Sequence, residues 1–206
     1  MLNVADHSYL GLISGKPRVS VTTMLAEMGY IQKRWYKEGK QDLGTNVHLL
    51  THAHDKGLKF KAPEIYAKYL PPYKALLAQT GITIEDSEVE IEEPILGYAG
   101  TLDKLARSRE GEYGIVDLKV TSGGYQAWHE YQSCLYELGL LWHPKYKGIQ
   151  IKWRAGIIMT PDLEMPKLIP HNRIQGIHKI CQSLAVVHAD KVRRRVEMEQ
   201  NIEEDW

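Results

Sequence analysis

The stretch Gly114-Ile115-Val116-Asp117-Leu118-Lys119-Val120 decides how this chain is read. It is apolar enough for a central strand. Side chains on a strand alternate between faces, so Ile115, Asp117 and Lys119 share one face while Val116, Leu118 and Val120 share the other. A carboxylate and an ammonium therefore stand where core would otherwise be. Burying a charge costs on the order of several kcal/mol unless it is paired or binds a metal. A lone DxK triplet recurs by chance and reads as a simple ion pair at a strand end, so its surroundings must decide.

Upstream, Asp103 lies in Gly100-Thr101-Leu102-Asp103 on the preceding strand. If the two strands pair as a hairpin through Arg107 to Gly111, both carboxylates converge at one end of a sheet. They repel unless a cation lies between them, and hard ions such as Mg²⁺ or Mn²⁺ suit oxygen ligands. Ile82, Ile84, Val89 and Ile91 alternate with polar residues, and Gly97, Gly100, Gly111 and Gly114 punctuate short runs. Three strands are expected, at about 82 to 93, 96 to 107 and 113 to 120.

Downstream, Trp128, Tyr131, Leu135 and Leu138 repeat at helical spacing, and His129, Gln132 and Tyr136 form a row beside that stripe. A strand follows at 149 to 158, and a final helix starts near Asn172. Before the meander, Val19 to Leu25 reads as an extended segment entering a helix, with Ser20, Thr22 and Thr23 as candidate N-caps. Helices are expected at about 44 to 57 and 63 to 77. The elements together predict a mixed α/β fold.

The 206 residues, 43% apolar and 25% charged, suit one compact domain: a helical part at 18–80, a sheet and helix at 81–160, and a C-terminal helix at 172–200. No run reaches membrane-spanning length and the N-terminus lacks signal-peptide features, so a cytoplasmic protein is expected. Cys134 and Cys181 form no CxxC pair. They predict buried fillers, with neither a zinc ribbon nor an iron-sulfur cluster. Zero formal net charge argues against indiscriminate binding to polyanions but permits a local basic groove.

Four motifs occur in a recognisable order: GxxxH at Gly44 to His48, GxxD at Gly100 to Asp103, DxK at Asp117 to Lys119 and QxxxY at Gln132 to Tyr136. In this the chain resembles the RecB-like exonucleases of the PD-(D/E)XK superfamily, and Val19-Ser20-Val21-Thr22-Thr23 is similar to the PSVT segment of its phage and mitochondrial genome maintenance members. The resemblance covers roughly residues 18 to 140. It implies a restriction-endonuclease-like mixed sheet flanked by helices, and a Mg²⁺- or Mn²⁺-dependent nuclease acting on DNA, in recombination or repair, in a phage or prophage. It further implies His48, Asp103, Asp117 and the Leu118 backbone carbonyl as metal ligands, with Lys119 steadying the attacking water and the phosphate. Glu88 stands near the family's upstream glutamate, a place Glu90 could also take. Gln132 and Tyr136 match residues that shape the site and contact DNA, and Thr121 and Ser122 are assigned to DNA contact with them. The four cysteines of cluster-bearing relatives are absent, so no iron-sulfur cluster is expected.

Other readings stand beside this one. His48 and His52 share a helical face and suit Zn²⁺, but no HExxH glutamate accompanies them and His54 points round the helix. Lys191 to Arg195 could touch a nucleic-acid backbone, or form a solvated helix with the acidic residues that follow. Tyr30, Trp35 and Tyr36, interspersed with Lys33, Arg34 and Lys37, suit either single-strand binding or core packing. A non-catalytic nucleic-acid-binding protein is the remaining alternative, and the acidic residues speak against it.

Overall fold

The computed structural model describes residues 2–3, 8–31, 40–162 and 165–204. Lys33, Arg34, Trp35, Tyr36 and Lys37 lie outside them. The short strands β1 (Leu2–Asn3) and β2 (Ser8–Leu10) pair antiparallel, and β3 (Pro17–Ser20) pairs with β2. Ser20 is the N-cap of α1 (Val21–Glu27): its backbone is extended and its Oγ accepts the Thr23 amide at 2.9 Å. α2 spans Lys40–Asp55, starting four residues before the position expected.

The single helix expected at 63 to 77 is two, α3 (Glu64–Ala67) and α4 (Leu70–Thr80). Pro71 and Pro72 explain the break, because proline has no amide hydrogen and fits only the first turn of a helix.

The meander follows as expected: β4 (Thr83–Glu93), β5 (Tyr98–Arg107) and β6 (Tyr113–Val120). After β6 the chain crosses through α5 (Trp128–Leu140) to β7 (Trp153–Met159), which lies parallel to β6. β8 (Lys167–Pro170) returns antiparallel, and α6 (Ile177–Glu204) closes the fold. The result is a mixed sheet flanked by helices. Among the described residues it has eight strands in the order β1-β2-β3-β5-β6-β7-β8, with β4 also on β5. No helix among those residues is long and apolar enough to cross a membrane.

Two cores sandwich the sheet. On one face α1, α5 and α6 pack Leu25, Leu135 and Leu184 against Leu102, Leu105 and Ile115, with the free thiols of Cys134 and Cys181 buried among them. On the other, α2 and α4 bring Val47, Tyr73 and Leu76 onto Val116, Leu118 and Ile157.

The edge of β5 forks. β3 and β6 use the same edge of β5, with β3 beside Tyr98 and Ala99 and β6 beside Lys104 to Arg107. Gly100 to Asp103 lie in the fork between them. The faces also exchange here: Leu102 belongs to the first core, whereas Lys104 reaches Asp55 on the side of the second. Across the ladder, Val89 and Ser87 do the same, and between them Glu88 adopts φ 54°. A left-handed backbone is rare for a residue with a side chain.

Candidate metal centre

At the fork, β6 leaves β5 after the Lys104–Val116 pair, and the Leu118 amide loses a strand partner on that side. Asp103 supplies one from its side chain, its Oδ2 accepting the Leu118 N–H at 2.7 Å. The Leu118 carbonyl in turn accepts from His48 Nε2 at 2.9 Å. A carbonyl only accepts, so Nε2 carries the proton and Nδ1 is left facing the carboxylates. Nδ1 lies 3.5 Å from Asp103 Oδ1 and 3.7 Å from Glu88 Oε1. One ligand atom from each of His48, Glu88 and Asp103 lies within 4.8 Å of the others.

The three donors arrive from different elements. His48 comes from α2, Asp103 from the fork of β5, and Glu88 from the left-handed residue of β4 that faces it. Without the positive φ at Glu88, the pleat of β4 would run on unchanged past the site. The Glu88 Oε1 atom is buried and makes no hydrogen bond. An imidazole nitrogen and two carboxylates, one of them with that orphaned buried oxygen, form a donor set that fits a divalent cation. His48 already has its other nitrogen oriented by a carbonyl, as metal-binding histidines do.

Asp117 and Lys119 adjoin this group. Lys119 Nζ donates to Asp117 Oδ1 at 2.6 Å and lies 5.5 Å from the centre of the Trp128 ring. Asp117 is fully buried, and its Oδ2 has no hydrogen-bond partner. Burial pushes its carboxyl up to about 6; Lys119 opposes the shift and Asp103 adds to it. For His48 burial acts downward, but the Asp103 and Glu88 carboxylates outweigh it and raise the imidazole. Asp117 is thus a neighbour of the His48–Glu88–Asp103 group and is engaged by Lys119, and the Leu118 carbonyl orients His48.

Glu88 and not Glu90 joins His48 and Asp103. Glu90 pairs across the ladder with Thr101, whose hydroxyl lies 3.0 Å from Tyr9 Oη. His52 is engaged by β4, with its Nδ1 2.5 Å from Ser87 Oγ, and His54 stands edge-on to the Tyr73 ring. The two-histidine zinc arrangement is therefore not assembled. Gln132 and Tyr136 are both 5% exposed and lie behind the fork. Gln132 Nε2 donates to Tyr136 Oη at 2.8 Å, while Gln132 Oε1 is buried without a partner. Burial raises the Tyr136 phenol well above its ordinary value, helped by Asp103 and Asp117. Outward-facing positions belong instead to Ser122, which is exposed, and Thr121, which is half-buried.

The glycines of the two GxxxH and GxxD motifs differ in cause. A Cβ on Gly100 would stand 2.8 Å from Tyr136 Cε1 and 3.3 Å from Val21 Cγ2, so the close approach of Tyr136 requires glycine. Around Gly44 a Cβ would meet nothing within 4 Å, and packing does not explain it. Sequence reasoning missed the buried partners beneath the site, Lys104, Asp55, Tyr73 and Ser87. The available signal was Lys104 inside the apolar run Leu102 to Ala106, and Asp55 in helical phase with His48.

No protein-family model matches the chain, and no curated protein matches it. Among solved structures the chain is similar to an alkaline exonuclease from Laribacter hongkongensis, LHK-Exo, at 13% identity and TM-score 0.45, covering 91% of this chain and 94% of that one. It is similar to LHK-Exo in complex with dAMP at 14% identity, with the same TM-score and coverage. At that distance no residue role passes from one chain to the other.

Proposed function

We propose that the chain is a metal-dependent deoxyribonuclease that hydrolyses phosphodiester bonds with Mg²⁺ or Mn²⁺, acting as an exonuclease on single-stranded ends in recombination or repair. The convergence of one ligand atom each from His48, Glu88 and Asp103 within 4.8 Å, beside the Asp117–Lys119 pair, carries the reading. The mode of action and the DNA process rest on the motif resemblance alone.

His48, Glu88 and Asp103 would hold the cation, with the buried Asp117 carboxylate adding negative charge beside them. A bound divalent cation supplies Lewis acidity and a water acidified toward neutral pH. Lys119 places a positive charge on the same strand face as Asp117. With its side chain 19% exposed, it can release Asp117 and meet a phosphate oxygen on which charge accumulates. Gln132 and Tyr136 brace the fork from behind, and Thr121 and Ser122 offer hydroxyls to the DNA backbone. The alternatives are a structure-specific endonuclease of the same fold and a non-catalytic nucleic-acid-binding protein.

End-labelled single- and double-stranded DNA incubated with Mg²⁺, Mn²⁺ or EDTA tests the proposal. Cleavage that needs a divalent cation and disappears in Asp103→Asn is expected. Full activity in excess EDTA would overturn the metal role, and no cleavage of any DNA with either ion would favour the binding protein. Internal cuts in a circular substrate would replace the exonuclease with the endonuclease.

A further inference from the structure

One side of α2 meets the sheet through a row of polar side chains. His48, His52 and Asp55 follow at helical spacing and so stack along one face. Each touches a different strand: His48 the Leu118 carbonyl of β6, His52 the Ser87 hydroxyl of β4, and Asp55 the Lys104 ammonium of β5 at 2.7 Å. The last pair is enclosed, the Lys104 and Asp55 side chains being 0% and 3% exposed. Tyr73 of α4 completes it. Its hydroxyl donates to Asp55 at 3.0 and 3.2 Å, and the centre of its ring lies 5.8 Å from Lys104 Nζ.

A buried ion pair is a poor source of stability. Both charges leave water, and apolar side chains of similar volume often serve as well or better. Its best-attested use is to fix register, because any displaced arrangement strands two unpaired charges in the interior. The apolar contacts of α2, through Val47 and Leu50, are non-directional and set no register of that kind. Lys104 is the residue after Asp103, and Asp55 is two helical turns beyond His48. Pinning Asp55 to Lys104 therefore pins His48 opposite Asp103 and Glu88.

We propose that Lys104 and Asp55, assisted by Tyr73, are positioning residues that hold His48 in register with Glu88 and Asp103 for divalent-cation binding. This rests on the metal-binding role given to those three residues. The pair sits on the far side of the strand from the Leu102 core, its side chains closed to solvent.

The test uses the full chain carrying Lys104→Met together with Asp55→Leu, which removes both charges and leaves neither alone. Mn²⁺ is titrated calorimetrically, and the His48 Nε2–H resonance of ¹⁵N-labelled metal-free protein is followed. The variant should remain folded, the Tyr73 hydroxyl left without its acceptor lowering the unfolding temperature somewhat. Its Mn²⁺ affinity should fall about ten- to a hundredfold, the range for lost orienting partners of metal ligands, and the His48 resonance should broaden or vanish. Unchanged affinity and resonance in the folded variant overturn the proposal, whatever its unfolding temperature. Should the double variant not fold, Tyr73→Phe keeps the ring and removes the two hydrogen bonds to Asp55. A weaker affinity there supports positioning, and wild-type affinity overturns it. Wild-type protein that binds no Mn²⁺ defeats the metal-centre reading and this proposal with it; wild-type and variant binding alike defeat only this one.

Discussion

Lys119 donates to Asp117 at 2.6 Å while keeping part of its side chain in solvent, so in the proposed reaction its charge can be redirected to a phosphate. Lys119→Ala should lower single-turnover cleavage about a hundredfold or more, as loss of one charge-stabilising donor does. DNA binding measured in Ca²⁺ should change little by comparison, and cleavage at the wild-type rate would reduce the DxK strand to an ion pair. For Asp117, burial lifts the carboxyl to about 6, above its value in the unfolded chain. The folded protein thus holds that proton more tightly: the stabilisation is present at low pH and is lost as pH rises through about 6. In metal-free protein Asp117→Asn should therefore unfold at a higher temperature than wild type at pH 7 and show no such gain at pH 4, which thermal melts at the two pH values would check. Glu88, at φ 54°, reverses the usual order of alanine and glycine. Glu88→Gly should be about 1 kcal/mol more stable than Glu88→Ala in urea unfolding, because only glycine takes that backbone without strain. Asp103, Asp117 and Lys119 stood out in the sequence as charges on apolar strands, whereas His48 came with the motif resemblance and Glu88 was left open against Glu90. Their division into a His48–Glu88–Asp103 group and an Asp117–Lys119 pair was not legible, since nothing in the letters announces a left-handed glutamate.

Elements whose pattern repeats were legible, and those defined by partners were not. β4, β5 and β6 alternate or run apolar between glycines, and α5 shows its stripe, so their spans lie within a few residues of those expected. The short strands β1, β2 and β8 carry too few residues to show a period; pairing at the sheet margin makes them strands. The period-two rule served β6 over its whole length but fails across Asp103, where β5 trades faces. At the start of α1 three residues competed for the cap, and geometry chose Ser20. Ser20→Ala should cost about 1 kcal/mol in urea unfolding, as N-cap losses do. An equal loss on Thr22→Ala would contradict the cap.

For the molecule as a whole, opposing charges balance, with 26 basic and 26 acidic residues. The grip on DNA proposed above would then come from local arrangement, with the proposed cation as part of it. A ligand that binds only the folded chain raises its stability in step with ligand concentration. Mn²⁺ should accordingly raise the unfolding temperature of wild type progressively, and His48→Ala should abolish most of that rise. A scan showing equal shifts in both proteins would place the cation elsewhere. The C-terminal third matched no motif, and the structure explains its presence by packing: Ile177, Cys181, Leu184 and Ala185 of α6 close the core beneath α5.

The hydrogen bond from the Leu118 amide to Asp103 has an outcome of its own. Amide protons in the middle of a sheet exchange with solvent deuterium only when strands part, but this one is guarded by a side chain. Asp103→Asn, or a cation drawing the Asp103 carboxylate toward itself, changes that guard without parting β5 from β6. Leu118 should then gain or lose deuterium on a schedule separate from Val116 and Ile115, making one backbone position a clock for the occupancy of the fork.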